Sequence, residues 1–209
     1  MKIVTLSDTH GHHRKVNVPD GDVLVFAGDF MTTGYQASQV IDFSNWLKEL
    51  PHPRKVIIAG NHDRLVELDS TWTNELRRAG DYLQNSGVKI NGVNFWGMPY
   101  TPAFCNWAFQ SYEGDSEKFA AMIPEWTNVL VTHGPPYGIL DKMKDTRWQD
   151  PLGDRALLAR VKAVRPAFHV FGHIHEGYGA VYQDSTAFIN TSICNEQYQP
   201  VNLCNVVEL

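Results

Sequence analysis

Five apolar runs, KIVTLSDTH, DVLVFAGD, KVIIAGNHD, NVLVTHGPP and FHVFGHIH, each give way abruptly to polar residues that include Asp, Asn or His. Apolar runs without alternation read as strands buried on both faces, and such strands need a covering layer on each side. Helical patterns lie between them. In SQVIDFSNWLKEL, Val40, Phe43, Leu47 and Leu50 fall on one helical face, with Ser38 as the expected N-cap. In DRALLARVKAVRP, Leu157, Leu158, Val161 and Val164 do the same before Pro166 closes the helix. VKINGVNFWG reads as a hairpin about Asn91-Gly92, a pair that accepts the positive φ angles of a two-residue type I′ turn. YGAVYQDSTAFIN reads as another hairpin, and a last strand is expected near VNLCNVVEL. The expected fold class is mixed α/β, with helices covering sheets.

A chain of 209 residues can bury one sizeable core, so a single domain over 1–209 is expected. The net charge of −5 argues against a dedicated nucleic-acid partner, whose phosphates call for a basic face. Cys105, Cys194 and Cys204 are odd in number and widely spaced, which speaks for free thiols in a reducing compartment rather than a disulfide framework. A strand-like run beginning at residue 2 leaves no room for a signal peptide, and no apolar run has the length of a membrane span, so a cytoplasmic protein is expected. Oligomeric state is open between monomer and homodimer. The long connection PYTPAFCNWAFQSYEGD is a candidate functional loop.

The chemistry sits at the strand ends. Asp8 and His10 are two residues apart after the first run; Asp29 ends the second; Asn61, His62 and Asp63 end the third; His133 ends the fourth; His173 and His175 end the fifth. Ligand sites gather at the carboxyl ends of strands in α/β sheets. Any one of these residues alone reads as structural, but so many like polar groups converging without a cation would be left unpaired. The set is nitrogen and oxygen without thiolate, which suits Mn, Fe or Zn and disfavours a cysteine-type zinc site. Seven ligands are too many for one ion, and a carboxylate shared between two ions would use them well.

The blocks SDTH, GDF, GNHD, THGPP and GHIH resemble those of the calcineurin-like metallophosphoesterase superfamily. LPHPRKVIIAGNHD, YLQNSGVKINGVNFWGMPYTP, RPAFHVFGHIHEGYG and the late INTSIC are similar to its metallophosphoesterase-domain-containing (MPPED) group, whose members are small phosphodiesterases. The resemblance implies a four-layer α/β/β/α sandwich of two mixed sheets flanked by helices. It implies that Asp8, His10, Asp29 and His175 hold a first metal and that Asp29, Asn61, His133 and His173 hold a second. Some members of the group have Gly where His173 stands; this chain keeps the histidine, so both sites should load. It further implies that His62 stabilises or protonates the leaving oxygen, with Asp63 orienting its ring, while cations sharing a water ready it for in-line attack.

The expected activity is a binuclear, metal-dependent phosphodiesterase acting on cyclic nucleotides or related small diesters, with two divalent ions, Mn first and Fe or Zn next. A phosphomonoesterase or protein phosphatase, a DNA nuclease, and a non-catalytic nucleotide sensor or scaffold are the competing expectations. His12 and His13 follow Gly11 beside the strand end, and His12 is a candidate substrate contact. Phe104, Asn106 and Trp107, with Tyr100 and Tyr137, are candidates for a pocket wall on which a base could stack. His52 and His169 carry no pattern that assigns a function.

Overall fold

The computed structural model describes residues 1–144 and 150–209. The first three apolar runs become β1 (Lys2–Leu6), β2 (Val23–Ala27) and β3 (Arg54–Ile58), with α1 (Ala37–Glu49) between the second and third. After α2 (Arg64–Leu68), α3 (Ser70–Arg77) and a short β4 (Asp81–Tyr82), the hairpin of β5 (Ser86–Ile90) and β6 (Val93–Met98) opens a second sheet. The long connection holds the short pair β7 (Thr101–Pro102) and β8 (Gln110–Ser111), and α4 (Asp115–Met122) and β9 (Val129–Thr132) follow. Then come α5 (Arg155–Val164), β10 (Phe168–Phe171), the hairpin β11 (Gly179–Gln183) and β12 (Thr186–Asn190), and β13 (Asn205–Glu208).

The first sheet has the order β13-β1-β2-β3-β4 and the second β11-β12-β10-β9-β6-β5. Strands β1 to β4 are parallel to one another, as are β6, β9, β10 and β12, and antiparallel partners sit only at sheet edges. Successive side chains on a strand point to opposite faces. Ile3, Val23, Val25, Val56 and Ile58 therefore meet Phe95, Val129, Val131, Val170 and Ile189 between the sheets. The alternate residues Val4, Leu6, Leu24 and Phe26 face Val40, Phe43 and Leu47 of α1 and Leu76 of α3. On the far side Leu130, Phe171 and Phe188 pack under Leu157 and Val161 of α5. Three apolar layers between four layers of structure explain why the runs carry no polar alternation.

Both expected hairpins form. Ile90 pairs with Val93 across Asn91 and Gly92 at φ 49° and 88°, and Gln183 pairs with Thr186 across Asp184 and Ser185 at φ 50° and 72°. The expected cap of α1 does not: the helix starts at Ala37 after Gln36, without a side-chain cap bond, so Ser38 lies inside it. The later helix is capped by Asp154, whose side chain accepts from Leu157 N. The three cysteines are unpaired. No described helix is long and apolar enough to cross a membrane.

Candidate metal centre

Because the parallel strands of both sheets end on one edge, their loops meet there. The sheets are tied at this edge: Ser7 N donates to Thr191 O at 3.0 Å and Ile193 N donates to Ser7 O at 2.9 Å. The loops after β1 and β2 are likewise joined, with Asp8 N on Gly28 O at 2.9 Å and His10 N on Asp29 O at 3.1 Å. Asp8, His10, Asp29 and His173 all have positive φ, at 52°, 41°, 61° and 69°. Non-glycine residues visit this region rarely, and where they do so in a group the strain marks a site that needs the geometry. Gly28, at φ +95°, must be glycine for a second reason: a Cβ there would stand 2.6 Å from His133 Nδ1.

The side chains converge in overlapping groups. Ligand atoms of Asp8, His10 and His175 lie within 4.8 Å of one another, as do those of His10, Asp29 and His62, and those of Asp29, His133 and His173. Asp29 joins them, its Oδ2 standing 3.3 Å from His133 Nε2 and 3.8 Å from His10 Nε2. Asn61 belongs to the His133 side, with Oδ1 at 2.9 Å from His133 Nε2. All seven residues expected as ligands are thus brought together, and His173 and His175 diverge from one turn toward different groups.

The tautomers follow from the acceptors. His10 Nδ1 meets Met31 O at 3.1 Å, His133 Nδ1 meets Ala27 O at 2.9 Å, and His175 Nδ1 meets Asn195 O at 2.8 Å. A carbonyl can only accept, so in each ring the Nδ1 carries the hydrogen and, when neutral, the Nε2 is bare. Yet the bare Nε2 atoms of His10 and His175 face each other at 3.2 Å, and that of His133 faces two oxygens. Lone pairs so aimed repel unless a cation lies among them, and the donor set fits a divalent ion. The charges agree. Burial lowers His133, but the Asp29 carboxylate outweighs it and lifts the ring to about 9. Burial takes His10 down to about 4, and burial with the His133 charge takes His173 to about 3. Burial raises Asp8, yet the bond and charge of His175 more than offset it and hold the carboxyl below its usual range.

Several supporting residues carry no motif of their own. Ser192 Oγ approaches Asp8 Oδ2 at 2.9 Å, Ser7 Oγ donates to the same oxygen, and His173 N donates to Asp8 at 3.1 Å. Asn190 Nδ2 donates to Ile174 O at 2.8 Å and so holds the loop that bears both late histidines. The sequence signal was there in INTSIC, without a role attached.

His62 is where the motif places it, with its backbone N on Asp29 Oδ1 at 2.7 Å, its Nδ1 donating to Thr32 O, and its ring 4.1 Å from Trp107 in a stack. Asp63 does not orient that ring. Its carboxylate accepts from the backbone N of Asp29 at 2.9 Å, Met31 at 3.0 Å and Gly60 at 2.8 Å, which positions the Asp29 loop instead.

A cavity of about 470 Å³ opens from Asp29, Asn61, His62, His173 and His175, and Phe104 and Trp107 line it as expected. His12 and Asn106 do not line it. Asn106 is exposed and holds Arg64 through its carbonyl, and His12 lies in the turn whose backbone bonds to Thr9. His13 is buried toward α1, bonded to Asp42 at 2.9 Å. Tyr100 stacks on Phe119 at 3.7 Å, and Tyr137 lies under Arg155, so neither is a wall. The walls missed by sequence include Tyr198, Met143 and Leu152.

Residues 1–177 match the family described as calcineurin-like phosphoesterase. Human metallophosphoesterase domain-containing protein 1 is 36% identical over 234 residues, covering 100% of this chain and 71% of that protein. A UPF0046 protein of Caenorhabditis elegans is 38% identical over 218 residues, covering 95% of this chain and 72% of that protein. Phosphopantetheinyl hydrolase from Mycobacterium tuberculosis superposes with a TM-score of 0.67 at 14% identity, over 99% of this chain and 95% of that one, a likeness of fold. The chain belongs to the calcineurin-like phosphoesterase family, and with that membership it is a metal-dependent phosphoesterase.

Proposed function

We propose that the centre holds two divalent cations, Mn first with Fe or Zn as alternatives, and that the protein hydrolyses small phosphodiesters, cyclic nucleotides among them. The observation that carries the binuclear reading is Asp29 Oδ2, which stands within 3.8 Å of His10 Nε2 and 3.3 Å of His133 Nε2 and so belongs to both groups. Asp8, His10, Asp29 and His175 would hold one ion; Asp29, Asn61, His133 and His173 the other. When bound, such ions polarise phosphoryl oxygens and bring a water's pKa toward neutrality.

The chain's own residues do the rest. His62 has its Nδ1 proton committed to Thr32 O, so its Nε2 is the atom left to exchange a proton with a leaving oxygen. Asp63, through three backbone N–H groups, keeps Asp29 and Gly60 in register for the centre. Trp107 and Phe104 exclude water from one side and offer a face for a flat group. A diester is favoured because, among the described residues, no Lys or Arg lines the cavity to meet the second negative charge of a monoester.

The test is Mn-dependent hydrolysis of bis-p-nitrophenyl phosphate beside p-nitrophenyl phosphate. The diester is expected to react faster and chelation to abolish both rates. A reversed preference would make it a phosphomonoesterase, and nucleotide binding without turnover by the metallated protein would make it a sensor.

A further inference from the structure

Beside the candidate ligands the cavity is lined by Phe104, Trp107 and Tyr198, whose rings stand 5.3 Å from His173, 4.1 Å from His62 and 4.8 Å from His10, and by Glu176 and Glu196. Glu176 follows the ligand candidate His175 directly, and Glu196 lies at the rim with its side chain 37% exposed and Lys144 Nζ at 3.8 Å.

The backbone holds these groups in place. Tyr198 has φ +57°, a conformation an aromatic residue rarely adopts. It is fixed by a tight turn in which Asn195 Oδ1 accepts from Gln197 N at 3.0 Å and from Gln199 N at 2.9 Å. The same turn supplies Asn195 O to His175 Nδ1 at 2.8 Å, so one loop braces the centre and carries Glu196 and Tyr198 to the cavity. Tyr198 lies edge-on to His10 at 4.8 Å and to His175 at 5.4 Å.

A cavity whose metal centre is positive when loaded, with aromatic rings beside it and two glutamates in its lining, is complementary to a zwitterion with its phosphate at the metals. Aromatic faces attract organic cations through their quadrupole, and carboxylates add a charge of the right sign. We infer that this aromatic and acidic lining is a subsite for an alkylammonium group, so that the preferred substrates are phosphodiesters whose alcohol carries one. This deepens the phosphodiesterase reading and rests on it for turnover, though not for binding.

Calorimetry on the Mn-loaded full chain would compare phosphocholine with 3,3-dimethylbutyl phosphate, which has the same shape without the charge. Phosphocholine is expected to bind about tenfold tighter, a preference falling to about twofold in Glu176→Gln/Glu196→Gln. Glu196→Gln alone, at the exposed rim, is expected to lower the preference too, which keeps the test open if the double variant folds poorly. The matched p-nitrophenyl diesters are expected to show the same order in kcat/KM. Equal affinities in the wild type, or a preference untouched by either variant, would overturn the subsite. A binding preference without hydrolysis of either diester would instead overturn the phosphodiesterase reading and leave the subsite standing.

Discussion

A histidine is set up as a ligand when one ring nitrogen is held by an obligate acceptor and the other points into a cluster of donor atoms, and three rings here meet that condition. Spacing in the sequence showed which residues gather, because Asp, Asn and His at five strand ends have few other uses. It could not show which nitrogen faces inward, since that depends on the carbonyls of Met31, Ala27 and Asn195 in distant segments. The same distance hid the work of Asp63, whose partners are backbone N–H groups that leave no pattern. Two outcomes are expected at this scale. His62→Ala should lower kcat by about 10²- to 10⁴-fold with metal content retained. Loss of metal in parallel, measured by elemental analysis, would make His62 a ligand instead. Ser192→Ala removes a hydroxyl that approaches Asp8 Oδ2 at 2.9 Å and is expected to weaken metal affinity about 10-fold or more, measured by competition with a chelator.

At the scale of elements, the strands and hairpins were legible because their signals are local: uninterrupted apolar runs and a two-residue turn at Asn91-Gly92. The start of α1 was not, since Gln36 opens the helix without a side-chain cap and leaves Ser38 inside. Nor was the turn after INTSIC legible, which matters because its shape comes from Asn195 closing on Gln197 and Gln199. Loop shape at the centre gives a sharp test. A Cβ at Gly172 would press into Asp8 Oδ2 and Ser7 Oγ, whereas one at Gly92 meets nothing. Gly172→Ala is expected to lose metal and activity together. Gly92→Ala, strained by φ 88°, should cost about 1 kcal/mol of stability at unchanged metal content. Equal metal content in both variants would show that the Asp8 loop yields.

Across the whole molecule, three apolar layers hold two sheets whose carboxyl ends share an edge, and the centre depends on that alignment. The layers bury titratable rings, His169 among them. His169, on β10, is held by Thr132 Oγ1 at 2.8 Å while its Nδ1 has no partner, and burial lowers it to about 3. Its folded pKa lies below the unfolded value near 6.5, so its contribution is present above that pH and is lost as pH falls toward 3. Chelated wild-type protein is expected to lose up to about 1.4 kcal/mol per pH unit below 6.5 through this ring, and His169→Phe to lose less over the same window. Parallel urea midpoints for the two proteins would contradict it.

The most direct test of the central claim is an anomalous-scattering map of Mn-loaded crystals. Two peaks about 3.5 to 4 Å apart are expected, both in coordination distance of the Asp29 carboxylate. A single peak, no peak, or two peaks that do not share Asp29 would contradict the binuclear centre.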